Sequence, residues 1–324
     1  MTVHVTNGDI VVDLLRQAGL ADDALAWADV LHEGPVPAGL DDAGLRRTRA
    51  EFLAGADGAD AADALRRLTE RDRTLADGRA GDYLLWFEAD LYDQLQIAQI
   101  LAALGDLGVA PDRVTLVCIG EYPGIAHFGG LGQLEPDQLA GLLDAVATPL
   151  TAEALELGTA AWAALRAPDP GGLGRIAASR SPQLRFLGEA FDRLAREYPS
   201  TRDGLSLSER RTLASAPEEG APAGTVFARL GEREARPYLA DLFFFQMVAR
   251  LARAPGPLLE LDPPDGQVGA GTRLRRTEAG GRVLRGEADH VTLNGIDRWV
   301  GGVHLQGADT RWRWDEGTES ITRW

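Results

Sequence analysis

Three of the five histidines in this 324-residue sequence, His4, His32 and His127, fall in or beside segments where an apolar run gives way to polar residues. Imidazole titrates near neutrality and is the commonest metal-ligating side chain, so this concentration points to proton transfer or metal binding. The first segment is His4-Val-Thr-Asn-Gly-Asp9. Its Asn7 and Gly8 let backbone approach a ligand, and the helix that follows offers unpaired N–H groups to an anion. Asp9 has two readings, a site carboxylate or the cap of that helix. The second segment, Asp29-Val-Leu-His-Glu-Gly-Pro35, sets Asp29, His32 and Glu33 within five positions of one another. It reads as a site or as hydrogen-bonded loop architecture fixed by its Gly and Pro.

The third segment, Trp86-Phe-Glu-Ala-Asp-Leu-Tyr-Asp-Gln94, gathers Glu88, Asp90, Asp93 and Gln94 where a strand passes into a helix. Such carboxylates can hold a divalent cation through oxygen or supply a general base. Helix capping and the helix dipole account for Asp90 and Asp93. They leave Glu88 unexplained, because three neighbouring carboxylates repel unless a cation or a shared proton relieves them. The fourth segment is Gly120-Glu-Tyr-Pro-Gly-Ile-Ala-His-Phe-Gly-Gly-Leu-Gly132, a plain surface loop or a lid that brings in Glu121 and His127.

The elements that would position these residues alternate strand, loop and helix. Thr2 to Thr6, Ala24 to Val30, Asp82 to Phe87 and Arg113 to Ile119 read as strands, the third apolar almost throughout, as in a parallel sheet buried on both faces. Helices are expected at Ile10 to Ala18, over 39–77 with a break at Gly55 to Gly58, and at Leu91 to Leu104. Residues 1–150 therefore read as a Rossmann-like α/β domain, with the four segments at the carboxyl ends of its strands, where such sheets bind ligands. The multiple glycines of a dinucleotide fingerprint are missing.

Residues 151–324 read as a second domain, mainly helical, with helices at Ala152 to Leu165, Pro182 to Arg196 and Pro237 to Arg253. Asp203-Gly-Leu-Ser-Leu-Ser-Glu-Arg-Arg-Thr-Leu213 resembles the start of a winged-helix unit, with Ser206 as cap and Glu209 closing a capping box. Arg282 to Leu284, His290 to Leu293 and Thr310 to Trp314 suggest a small antiparallel β tail. The Arg and Trp residues of Asn294 to His304 and Thr310 to Asp315 either stack on a ring or form a packed structural knot.

Composition narrows the function classes. Forty-nine acids against 33 bases give a net charge of −16, a field that repels nucleic acid, and every base is arginine. The one cysteine, Cys118, sits in an apolar run and excludes an internal disulfide framework, which suits a reducing, cytoplasmic setting. No signal peptide is indicated, and the most apolar stretch, Tyr238 to Leu251, carries Asp241 and Arg250, so no membrane span is expected.

Together the segments His4 to Asp9, Asp29 to Pro35 and Leu85 to Gln94 resemble a bacterial family designated domain of unknown function 1835, and Asp297-Arg-Trp-Val-Gly-Gly302 is similar to the C-terminal part of many of its members. That resemblance covers about the first 130 to 150 residues and implies no particular reaction. The residues themselves suggest a metal-assisted hydrolase or group-transfer enzyme acting on a phosphate-bearing or other polar small molecule. His4, Asp9, His32, Glu88 and Asp90 would be the metal ligands or acid/base groups, with Glu33 and Asp93 as further catalytic residues. Asn7, Gly8, Asp29, Gln94, Glu121 and His127 would bind the ligand. The competing expectation is a ligand-sensing regulator whose C-terminal half contacts a protein rather than DNA.

Overall fold

In the computed structural model, which describes residues 2–324, the chain forms two compact units, the first ending at Asp192 and the second running Arg193–Trp324. The first runs β1 (Thr2–Thr6), α1 (Asp9–Gln17), β2 (Leu25–Ala26), α2 (Asp42–Asp57), α3 (Ala61–Asp77), β3 (Asp82–Glu88), α4 (Leu91–Asp106), β4 (Val114–Ile119), α5 (Pro136–Ala145), β5 (Thr148–Pro149), α6 (Ala152–Arg166) and α7 (Gly171–Ala177), with α8 (Leu187–Ala195) crossing into the second. The boundary expected near residue 150 lies some forty residues later. The reason is α6, which packs along α4 and so belongs to the first unit.

The sheet has the order β2-β1-β3-β4-β5. β2, β1, β3 and β4 are parallel, and the short β5 closes the edge antiparallel to β4. The apolar runs make the middle of this sheet: Leu85, Trp86 and Phe87 of β3 and Val117 of β4 are fully buried. Burial of each such side chain is worth about 1.5–3 kcal/mol. α1 puts Val11, Leu14 and Leu15 into the core that also takes Leu139 and Leu142 of α5. α4 is apolar on nearly every side and is buried almost all round.

One expectation fails locally, and one strand was not expected. The strand expected over Ala24 to Val30 is only Leu25–Ala26, because Trp27 turns inward to donate its indole N–H to Gln99 Oε1 (2.7 Å) and Ala28 adopts a left-handed φ of 43°. β5 had no signal, being two residues long and containing a proline, which an edge position tolerates.

The second unit runs α9 (Leu207–Ser215), β6 (Ala221–Pro222), α10 (Ala223–Gly231), α11 (Asp241–Arg253), β7 (Leu259–Asp262), β8 (Arg273–Arg276), α12 (Glu278–Leu284) and α13 (His290–Asn294). β6, β8 and β7 form an antiparallel sheet in that order. Leu213, Val226, Phe244, Val248 and Leu274 share its core. The capping box of Ser206 and Glu209 starts α9 as expected. Residues 282–284 and 290–293, expected as strands, are helical: Thr277 and Asp289 cap α12 and α13, accepting from Gly280 N and Thr292 N. Two hairpins end the chain, β9 (Ile296–Val300) with β10 (Val303–Gly307) and β11 (Trp312–Asp315) with β12 (Ser320–Arg323). Within them buried Arg313 pairs with Asp289 and Trp299 stacks on His304.

Candidate functional site

The strand order places β1 and β3 side by side, while the crossovers that leave them go to opposite sides of the sheet. The connections that follow them therefore part at their carboxyl ends, the switch point at which open α/β sheets commonly bind ligands in a crevice. Asn7 and Gly8 leave β1 on one side of it, and Glu88 ends β3 on the other.

Asn7 bridges the gap. Its Nδ2 donates to Glu88 Oε1 (3.3 Å) and to Asp93 Oδ1 and Oδ2 (3.1 and 3.2 Å). Leu131 N donates to the same Glu88 oxygen (2.7 Å), and Gly130 just before it has a φ of +146° and no room for a side chain, since a Cβ would stand 2.6 Å from Glu88 Oε2. Asp93 is fully buried and also accepts from Glu88 N (2.5 Å). Asp90 caps α4, accepting from Asp93 N (3.0 Å).

The groups acting on Glu88 and Asp93 are carboxylates and neutral donors. Burial, helped by the charge on Asp90, raises the Glu88 carboxyl to about 7 against the pull of the Leu131 and Asn7 hydrogen bonds. Burial also raises Asp93 well above the ordinary carboxyl range, again with Asp90 and then Glu88 adding to it. A buried pair of this kind holds a proton near neutrality and can give or take it, as a general acid or base must.

The other expected residues divide. Asp9 is exposed at the first position of α1, and the cap is Gly8, with no side-chain cap hydrogen bond. Asp9 therefore caps nothing; its carboxylate stands in the first turn, where it favours the helix dipole. His4 lies within β1 rather than at its end; its Nδ1 accepts from Trp86 Nε1 (3.2 Å), its ring stacks on that indole, and burial lowers its pKa. His32 is buried with its ring edge-on to Tyr92, centroids 6.1 Å apart, and Tyr92 Oη donates to Asn7 O (3.4 Å). The second loop thus reaches the crevice through Tyr92.

Asp29 serves the loop instead. It is buried against Arg49 (2.8 Å), and Arg49 also donates to the carbonyls of Val30, Glu33 and Pro35, fixing the backbone path around Glu33. Gln94 is buried and donates to Glu88 O (2.7 Å), holding the strand end rather than facing a ligand. Glu121 and His127 are exposed on the loop that ends at Gly130 and Leu131, so only the end of that loop touches Glu88. Among the described residues no group of three or more His, Cys, Asp or Glu is placed to hold a metal ion.

Sequence reasoning missed three supports. Gln96 and Gln99, buried on α4, hold the second loop by donating to Asp29 O (3.3 Å) and accepting from Trp27. Their signal was available: three glutamines within six positions of a helix otherwise rich in Leu, Ile and Ala. Arg185 is exposed and donates to Cys118 O (3.0 Å), which brings a cation to the carboxyl end of β4. Nothing in its local sequence marks it.

No protein-family model matches this chain. Over 111 residues the chain is 34% identical to the phosphonates import ATP-binding protein PhnC of Anaeromyxobacter dehalogenans (strain 2CP-C). The match takes in 34% of this chain and 21% of that protein, so the chain spans about a fifth of the length of the curated relative it matches.

Proposed function

We propose that the first unit binds a polar small molecule in the crevice between β1 and β3 and that Glu88, backed by Asp93, is the general base of a hydrolytic or group-transfer reaction. One observation carries this reading: a buried carboxyl raised to about 7 at the switch point, one hydrogen bond from the Asn7 amide. A base with that pKa is available in both protonation states near neutrality, which favours proton transfer in either direction.

The surroundings narrow the ligand. Asp9, Glu88 and Asp90 make the crevice acidic, so a neutral or cationic polar molecule fits better than a polyphosphate, with Arg185 able to meet a single anionic group. The partial similarity to PhnC brings a nucleotide to mind. The 324 residues contain no lysine, however, and a P-loop holds its phosphates with one. The metal ligands expected from the sequence are not gathered as a metal centre among the described residues, so no step is routed through a metal.

The test is calorimetric binding of neutral, cationic and phosphate-bearing metabolites to the wild type and to Glu88→Gln. A neutral or cationic ligand whose affinity changes between pH values on either side of about 7, and falls at least tenfold in the variant, is expected. Ligands that bind equally well without Glu88 would overturn the reading.

A second reading rests on the second unit. We infer that α9, β6, α10, α11, β7 and β8 form a winged helix, because helix-strand-helix-helix-strand-strand with the first strand beside the last is the order such domains have. α11 would be its recognition helix. That helix buries Phe243, Phe244, Met247 and Val248 and carries exposed Arg250 and Arg253 only near its end, a poor surface for phosphates. A protein partner suits it better, and a ligand-sensing regulator is the alternative to an enzyme. Salt-sensitive binding to duplex DNA would instead assign the winged helix to DNA.

A further inference from the structure

Away from the crevice, the first unit carries a cleft of about 890 Å³ walled by α2, α3, α4 and α6 beside the β2 edge of the sheet. None of Asn7, Glu88, Asp90 or Asp93 lines it. Leu45, Leu68, Leu75, Leu107, Trp27 and Trp162 give it an apolar surface, and its size is within the range of small-molecule pockets.

Five arginines, Arg46, Arg49, Arg71, Arg73 and Arg166, line it together with Asp29, Asp42, Asp72 and Asp106. Arg49 holds Asp29 (2.8 Å), Arg46 and Arg71 share Asp72 (both 2.8 Å), and Arg73 turns to Asp77 (3.3 Å) and Glu70. Arg166 is different. It lies over the Trp162 ring (5.6 Å) and donates to the carbonyls of Pro37 (3.0 and 3.2 Å) and Leu40 (3.0 Å); among the described residues it forms no ion pair, although the charge on Asp42 acts on it. A guanidinium presents more donors than these carbonyls use, in a fork that matches a carboxylate.

We propose that this cleft is a second ligand site, taking an amphipathic monocarboxylate whose hydrocarbon part lies on the leucine and tryptophan surface and whose charge meets Arg166. An apolar wall beside a single guanidinium with unused donors favours one carboxylate over a polyanion, which needs several cations, and over an amine, which Arg166 repels.

The experiment is calorimetric titration of the full chain with octanoate, octanol and octylammonium at a mildly alkaline pH. Octanoate is expected to bind one site, with octanol and octylammonium weaker by about tenfold or more. Arg166→Gln should reduce octanoate affinity by about tenfold and abolish the preference over octanol. Because Arg166 also braces Pro37 and Leu40, a second variant, Ala103→Trp, fills the cleft from α4 without touching that arginine and should abolish binding. Glu88→Gln should leave octanoate binding unchanged, which separates this site from the crevice. No saturable octanoate binding, equal affinity for the three probes, or binding retained in Arg166→Gln and Ala103→Trp alike would overturn the proposal.

Discussion

The two units bury glutamates in opposite ways. Glu197, in the second, is held by Arg193 (2.7 Å) and Arg298 (3.2 Å), and although burial works against it, these guanidiniums bring its carboxyl down to about 2. Glu88, in the first, has neutral donors and further carboxylates around it and is raised to about 7. The same side chain is therefore a fixed anion in one place and a titrating group in the other, and the difference is the presence of a cation. Arg193 also pairs with Glu234 (2.7 Å) and donates to Ser208 Oγ (2.8 Å), so the cluster in the second unit is saturated with partners. Carboxylates paired with guanidiniums stay ionised and stabilise a fold; a buried carboxyl pair with hydrogen bonds but no cation can exchange a proton near neutrality.

Removing the cation should break the contrast most severely. Arg193→Met leaves Glu197 and Glu234 short of a guanidinium, and the expected loss is about 3–5 kcal/mol, read from urea unfolding of the second unit. A loss below about 1 kcal/mol would place this cluster with surface ion pairs.

The reverse effect is expected at Glu88. Below its ordinary value near 4.5, Glu88 is protonated in both the folded and the unfolded chain. As the pH rises the unfolded chain ionises first, so the folded state loses relative stability up to about 7, by about 3 kcal/mol, and the loss persists above that. Glu88→Gln removes the titration. Relative to the wild type, the variant should gain stability between about pH 5 and about pH 8; an unchanged difference between the two proteins would show that burial does not strain this carboxyl.

The smallest effect concerns the backbone that shapes the pair. Gly130→Ala puts a side chain at a φ of +146° and against the Glu88 carboxyl, and should cost about 1–3 kcal/mol in thermal or urea unfolding. A neutral result would mean that the loop is not needed to seat Glu88.

Much of the first unit could be read from sequence because β3 and β4 are apolar runs followed by polar turns, and because α1 and α4 follow with helical spacing. Glu88 stood out for the same reason, as a carboxylate that capping did not explain. What escaped depends on contacts distant in sequence. His4 has the right neighbours but sits three residues before the Asn7 turn, where Trp86 from β3 engages it. Asp29 looks like a ligand until Arg49, twenty residues later, claims it. Residues 282–284 and 290–293 are too short for periodicity to separate strand from helix, and only their caps, Thr277 and Asp289, could have decided.

The most direct test is a carbon-13 NMR titration of the glutamate side-chain carboxyls, with Glu88 and Glu197 assigned through Glu→Gln variants. A Glu88 midpoint near 7 with Glu197 ionised down to about 2 is the expected result, and a Glu88 midpoint near 4.5 would contradict its assignment as the proton-exchanging group of the crevice.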